Sequence, residues 1–292
     1  MDSFTKTLGQ IGNRSQRLVR EWQERLGQAD DITELPPDYL ELEKQCDALK
    51  TSHQKMLSVT SNYANEGYDY PPNLRESIVD LSKNISEKVQ GLASAHTAQQ
   101  AQDAITGPSS KPAAPKTLSH AIGRAAVAGV EVLPKDDPYG KALGKYALAE
   151  EKIGEARLTQ DHMVVSRFNQ TYNTTLHTSL ASASQARKKA ASARLELDSA
   201  KARAKNAKPE YQDARRVEVE QAEDLFVAET EEAVGVMKNI LDTPEPLRGL
   251  ADLIAAQLEY HKKAFEILSE LAPEIDAMQV EHEEKYREKR YQ

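Results

Sequence analysis

The chain holds one cysteine, Cys46, so no disulfide can close within it, and a reducing compartment suits it. Aromatic residues are scarce, at 5%, with a single Trp and four Phe. So few bulky side chains, beside plentiful Ala, Glu, Lys, Gln and Leu, argue for an elongated all-helical protein rather than a broad globular core. No run of 18 apolar residues occurs, which excludes a membrane-spanning helix. The N-terminus lacks the apolar stretch of a secretory leader, so a cytoplasmic protein is expected. No β-branched alternating run of useful length occurs, so no sheet is expected. A glycine-rich phosphate loop, HExxH, CxxC and G-x-S-x-G are all missing. The acid pairs Glu150-Glu151 and Glu283-Glu284 are expected on exposed helical positions or the charged end. These absences predict a protein that is not an enzyme and has no catalytic residue, metal site or cofactor. A formal net charge of −8 argues against a general nucleic-acid binder.

What is present is organised around the stretch from Tyr139 to Lys208, which is free of proline between Pro138 and Pro209. Only Gly140, Gly144 and Gly154 interrupt it, all near its start. Such a run predicts one very long helix, about 100 Å at 1.5 Å per residue, and a rod of that length needs others beside it. Ala183, Ala186, Ala190, Ala193, Leu197, Ala200 and Ala204 alternate spacings of three and four, the seam of a coiled-coil-like bundle. Larger groups occupy the seam earlier: Leu143, Tyr146, Ile153, Met163, Phe168, Tyr172 and Leu176.

Upstream, residues 1–28 place Phe4, Leu8, Ile11, Leu18 and Trp22 on one helical face, with five basic residues against three acidic ones. Sparse apolar anchors with a basic polar face suit an amphipathic helix lying in a membrane interface, and these five side chains are the expected insertion residues. Asp30, Asp31, Thr33 and Pro36-Pro37 mark a break and a helix start. Tyr39, Leu42, Cys46, Leu49, His53, Met56, Thr60 and Tyr63 then keep the three-four spacing, so Cys46 and His53 read as packed core residues. Gly67 and Pro71-Pro72 interrupt the pattern, which resumes at Leu74 and runs to His96. Residues 37–105 are expected as one long, kinked helix. Residues 107–117 form a proline-rich linker, in which Pro112 and Pro115 make a minimal SH3-ligand pattern. A short helix is expected over 118–133, ended by Pro134 and the turn Asp136-Asp137-Pro138. A third rod starts at Pro209 with the stripe Val219, Ala222, Phe226, Thr230, Ala233, Met237 and Ile240. Thr243-Pro244-Glu245-Pro246 kinks it, and Leu247, Leu250, Ile254, Leu258, His261, Phe265 and Leu268 carry the seam to Pro273. Residues 281–292 are a charged tail.

Charge is placed unevenly. From Arg187 to Arg216 stand ten basic residues, Arg187, Lys188, Lys189, Arg194, Lys201, Arg203, Lys205, Lys208, Arg215 and Arg216, against four acids, Glu196, Asp198, Glu210 and Asp213. That leaves +6 around the hairpin tip of a chain whose total is −8, and −14 elsewhere. The expected partner of this patch is an anionic phospholipid membrane, each Lys or Arg near such a leaflet contributing about 1 kcal/mol. The alternative is a coiled-coil scaffold or tether that binds protein partners and no lipid. Three apolar seams exceed what one slender protomer can cover, so a homodimer is expected.

The stretch Leu250–Leu268, LADLIAAQLEYHKKAFEIL, resembles the end of a BAR domain of the N-BAR, endophilin-like kind. Arg194-Leu195-Glu196-Leu197-Asp198, followed by Lys201 and Arg203, is similar to the R-x-x-D…K-x-K/R segment near that family's second-helix tip. Tyr139–Leu143 and Phe168 fit the start and middle of the same helix. The resemblance covers roughly residues 35–280, taken as the BAR domain, and looks closest to fungal Golgi-vesicle-type members. It implies an antiparallel, crescent-shaped homodimer of three-helix protomers and contact with curved anionic membranes through the concave face and tips. It also implies that residues 1–28 act as a membrane wedge, and that the protein is peripheral on Golgi, endosomal or plasma-membrane-derived vesicles. The linker 107–117 and the helix 118–133 depart from the compact join of endophilin-like members, and no SH3 domain follows the resembling region.

Overall fold

The computed structural model describes residues 32–71 and 116–290. Among them every regular element is helical and no strand occurs. In order these are α1 (Pro37–Thr60) continued by a 3-10 turn (Ser61–Ala64), α2 (Leu118–Val132), α3 (Pro138–Met163), a π segment (Val164–Asn169), α4 (Gln170–Thr174), a second π segment (Thr175–Ser179), α5 (Leu180–Lys205), a 3-10 turn (Pro209–Tyr211), α6 (Gln212–Leu241) and α7 (Glu245–Arg290). The long helix expected after Pro138 is therefore helical without a break to Lys205, with two wider turns in its middle. Asp137 starts it, its carboxylate accepting from the Gly140 amide at 2.8 Å while Pro138 occupies the first turn. The interruption expected at Gly67 and Pro71 is seen as a turn after Ala64, and the continuation of the first helix over 72–105 lies outside the described residues, as does the linker up to residue 115.

Two compact units divide the chain. One takes residues up to Met56 with Tyr172–Pro246. Its core is the alanine seam: Ala183, Ala186, Ala190, Ala193, Leu197 and Ala200 are all buried, facing Ala222, Phe226, Ala233, Met237 and Ile240 of α6 and Tyr39 and Cys46 of α1. Small side chains on α5 let its partners approach closely, which is why the bulk is supplied by Phe226, Met237 and Tyr39. His53 is buried and stacks on the Tyr172 ring at 4.0 Å between centroids, and the Tyr172 hydroxyl donates to the Pro246 carbonyl at 3.2 Å. Burial pushes the His53 imidazole below its ordinary pKa, so it packs as a neutral ring.

The second unit takes Leu57–Thr171 and the chain from Leu247 onward. Here α2 packs on α3 through Ala126, Val127 and Ala147, and α7 packs on α3 through Ala149, Ile153 and Ile267. Arg157 on α3 is buried and gathers the 66–69 turn. It donates to the Glu66 carbonyl at 2.6 Å, pairs with Asp69 at 3.0 Å and Asp161 at 3.1 Å, and stacks over the Tyr68 ring at 4.0 Å. Burial pushes the Asp161 carboxyl up to about 6, with Arg157 pulling down and Asp69 and Glu66 adding to the rise. The carboxylates of Glu66 and Asp69 accept from the amides of Lys116 and Leu118, so residues 66–69 and 116–118 meet in one hydrogen-bonded junction.

One glycine in this unit is required by a close approach. A Cβ on Gly154 would meet the His120 ring at 2.3 Å, and that ring is buried, held by the Thr117 hydroxyl at 2.7 Å and beside Glu155 at 3.3 Å. Gly→Ala inside a helix ordinarily stabilises by about 1 kcal/mol. At Gly154 overpacking of about 1–3 kcal/mol outweighs that gain. Gly154→Ala should therefore lower the thermal midpoint, whereas Gly235→Ala, with nothing within 4 Å of the added carbon, should hold or raise it. Equal midpoints for the two variants would show that the His120 ring can move aside.

Two expectations are corrected in α7. The helix runs through Pro273 to Arg290 instead of stopping at the proline. Pro273 leaves the Ser269 carbonyl without its helical donor, and Ser269 is exposed, so water can take that place. The charged end is thus helical as far as residue 290, exposed at every position from Glu281, with ion pairs one turn apart between Lys285 and Glu281 and between Arg287 and Glu283. The second correction concerns the seam: Leu247, Leu250, Ile254, Leu258, Phe265 and Leu268 face outward, and α7 buries Gly249, Leu253, Ala256 and Ile267 in their stead.

Candidate functional site

The hairpin joining α5 to α6 is built from the seam outward. Ala193, Leu197 and Ala200 hold α5 against Ala222 and Phe226 almost to its end. Asn206 closes the helix, and Lys208 enters the 3-10 turn at Pro209 that reverses the chain. Beyond Leu197, Ala200 is buried on α5, and the long side chains of its last turns, Lys201, Arg203 and Lys205, are all basic.

The ten cations of the sequence patch do not form one cluster. Arg187 and Lys205 are separated by about 27 Å of helix. Arg187 is drawn into the bundle: its guanidinium forks onto Asp47 at 2.8 and 3.2 Å and reaches Glu43 at 2.6 Å. Those hydrogen bonds hold it firmly protonated and keep Asp47 below the usual carboxylate range. Lys189 lies near Glu229 and Glu232 of α6, the nearer at 3.5 Å. Arg194 is half-buried, with partners of its own. Arg203 is mostly covered and sits between Glu196 at 3.8 Å and Glu218 at 3.6 Å. Arg215 pairs with Glu218 at 2.7 Å. Lys188, Lys201, Lys205, Lys208 and Arg216 are exposed, and the last is 72% exposed with only distant contacts to Asp213 and Glu220. Exposed cations at the tip are thus Lys201, Lys205, Lys208 and Arg216, with Lys188 farther back along α5.

Two further tip residues escaped the reading of charge. Tyr211 is 57% exposed and Val217 46% exposed, among these cations. An aromatic ring just after Pro209, in a turn with no core to fill, was the available signal. Tyrosine on a wet surface favours an interface where one end of the ring is apolar and the other hydrated. The expected insertion residues Phe4, Leu8, Ile11, Leu18 and Trp22 lie outside the described residues, and so do Pro112 and Pro115. Among the described residues no helix is long and apolar enough to cross a membrane, and no three His, Cys, Asp or Glu are grouped to hold a metal ion.

The described residues thus form a helical scaffold whose hairpin end carries exposed cations and whose long last helix exposes an apolar stripe. The chain matches the Bin/amphiphysin/Rvs domain for vesicular trafficking over residues 8–277 and belongs to that family, whose members scaffold or sense membrane curvature and are structural rather than catalytic. The match begins well before residue 35 and so takes in most of the 1–28 segment. Protein GVP36 of Saccharomyces cerevisiae is 33% identical over 272 residues, which cover 91% of this chain and 82% of that protein. The meiotically up-regulated gene 64 protein of Schizosaccharomyces pombe is 30% identical over 273 residues, covering 92% and 96% respectively.

Proposed function

We propose that this chain binds anionic bilayers as a homodimer and senses or generates curvature during Golgi or endocytic vesicle traffic. The observation that carries the reading is the set of exposed cations Lys201, Lys205, Lys208 and Arg216 around Tyr211 at the end of the α5–α6 hairpin. Four such charges per tip contribute about 4 kcal/mol near an anionic leaflet, and a dimer carries two tips, so avidity multiplies a modest single contact. Residues 1–28 supply the wedge through Phe4, Leu8, Ile11, Leu18 and Trp22. Pro112–Pro115 remains a minimal SH3 ligand.

Co-sedimentation with vesicles of neutral lipid and of anionic lipid tests the reading. Binding should require the anionic lipid and should weaken several-fold as ionic strength rises from about 0.01 M to 0.15 M, over which the screening length falls from about 30 to 8 Å. Equal sedimentation with both lipids would sink the electrostatic contact. No sedimentation with either would favour the second reading, a scaffold or tether for protein partners, for which the exposed apolar face of α7 is the supporting observation.

A further inference from the structure

Asp198 is out of place in its surroundings. It lies on the seam side of α5, 1% exposed, between the buried Leu197 and the buried Ser199 and Ala200. A carboxylate taken out of water is costly unless hydrogen-bonded. Both its donors come from one residue far away in sequence: Oδ1 accepts from the Thr33 amide at 3.0 Å and from the Thr33 hydroxyl at 2.5 Å. Lys201 Nζ in turn donates to that hydroxyl at 3.2 Å. Two residues on, Leu35 packs against both core clusters of the unit. Farther along, Glu43 and Asp47 of α1 meet Arg187 of α5, so α1 descends away from the hairpin end as its numbers rise. Thr33 is therefore held toward the hairpin end of α5. Asp198 stands seven residues, about 10 Å of helix, before Lys205.

We propose that Asp198 and Thr33 form a positioning clasp that delivers the N-terminal segment to the basic tip, an inference that rests on the membrane reading above. From Thr33 back to Trp22 the chain spans at most about 36–40 Å, so a clasped Thr33 keeps the apolar face of residues 1–28 within reach of the same patch of bilayer that Lys205 and Lys208 contact. With the clasp open, the first deeply buried residue is Tyr39, and six more residues add roughly 20 Å of slack. A looser tether lowers the effective concentration of the wedge at the site where the tip is already bound. Asp198 touches no lipid in this scheme and acts through Thr33 alone.

Three variants, Asp198→Ala, Thr33→Val and the conservative Asp198→Asn, separate the possibilities. Amide hydrogen exchange without lipid reads the contact itself. The Thr33 amide should exchange at least tenfold faster in Asp198→Ala than in the wild type, and close to the wild-type rate in Asp198→Asn, whose side-chain oxygen still accepts. Vesicle sedimentation reads the tip and should change less than twofold in every variant. The blue shift of Trp22, the one tryptophan, reads the wedge. It should need several-fold more anionic lipid in Asp198→Ala and Thr33→Val, and return toward wild type in Asp198→Asn. Should Asp198→Ala lose helicity, Thr33→Val, which keeps size and removes only the hydroxyl, carries the test. A freed Thr33 amide with an unchanged Trp22 response would overturn the clasp and leave the contact structural. A wild type that neither sediments with anionic vesicles nor shifts its Trp22 spectrum would overturn the membrane reading, and the delivery role with it.

Discussion

Leu258→Asp combined with Phe265→Asp should convert the protein from a species of twice 32.4 kDa to one of 32.4 kDa by light scattering at micromolar concentration. Helix α7 has two apolar faces. The face with Gly249, Leu253, Ala256 and Ile267 is buried, Ile267 packing against Ala149 and Ile153. The other carries Leu247, Leu250, Ile254, Leu258, Phe265 and Leu268, with Leu258 66% and Phe265 71% exposed. Six large apolar side chains in one line are worth roughly 10 kcal/mol when covered, at about 1.5–3 kcal/mol each. A soluble monomer rarely leaves such a patch open. A second copy of the same helix supplies a self-complementary cover, since a two-fold interface sets each patch against its twin. Two carboxylates placed in that line would have to be buried without partners, which the association free energy cannot offset. Both positions are exposed in the single chain, so helicity should be unchanged. A wild type that is already monomeric would show that the stripe belongs to another partner.

The helices and their inner faces were legible because helical periodicity is a local property. Three-four spacing over Ala183–Ala200 and over Ala222–Ile240 marked residues that are buried, and Cys46 and His53 sit in the core as their register required. Punctuation was legible too: Asp137 and Pro138 start α3, and Pro244 and Pro246 fall at the break between α6 and α7. What failed was a choice between two periodic faces. On α7 both Leu250–Ile254–Leu258 and Leu253–Ala256 keep helical spacing, and the second, smaller set is the buried one. Periodicity identifies apolar stripes but does not say which stripe faces the chain's own core.

The π segments were illegible for a different reason. Val164–Asn169 and Thr175–Ser179 each widen the helix by a residue per turn without any proline or glycine. Asn169 is buried there, exchanging hydrogen bonds with the Thr60 hydroxyl and carbonyl at 2.6 and 3.0 Å, a long-range contact with no local signature. The cation patch was half legible. Counting charge located the positive hairpin, yet the count could not see Glu43 and Asp47 arriving from α1 to engage Arg187, or Glu218, two residues past the counted span, engaging Arg203 across the hairpin and Arg215 one turn before it. The role of Thr33 was hidden for the same reason, since its acceptor is 165 residues away.

That sorting decides which substitutions report on lipid contact alone. Lys205→Glu, Lys208→Glu and Arg216→Glu together should abolish sedimentation with anionic vesicles while helicity and molecular mass remain those of the wild type. All three residues are exposed. Each replacement removes one positive charge and adds one negative, a swing of six per protomer and twelve per dimer. The loss of the three favourable contacts alone is worth about 3 kcal/mol per tip at low salt. At about 1.4 kcal/mol per tenfold, that is a factor on the order of 100 before the added repulsion is counted. Fold damage should be small, within about ±0.5 kcal/mol per site for exposed positions, and Arg216→Glu puts its negative charge near the start of α6, where it suits the helix dipole. Arg203→Glu makes the contrasting case. The Arg203 side chain is 18% exposed and faces Glu196 and Glu218, so reversal puts three carboxylates together and should lower the thermal midpoint as well as binding. Lys201→Glu would likewise disturb the Thr33 hydroxyl that Lys201 now meets. If the triple variant sediments with anionic vesicles as the wild type does, the hairpin end is an ordinary solvated surface, and the scaffold reading takes the place of the membrane one.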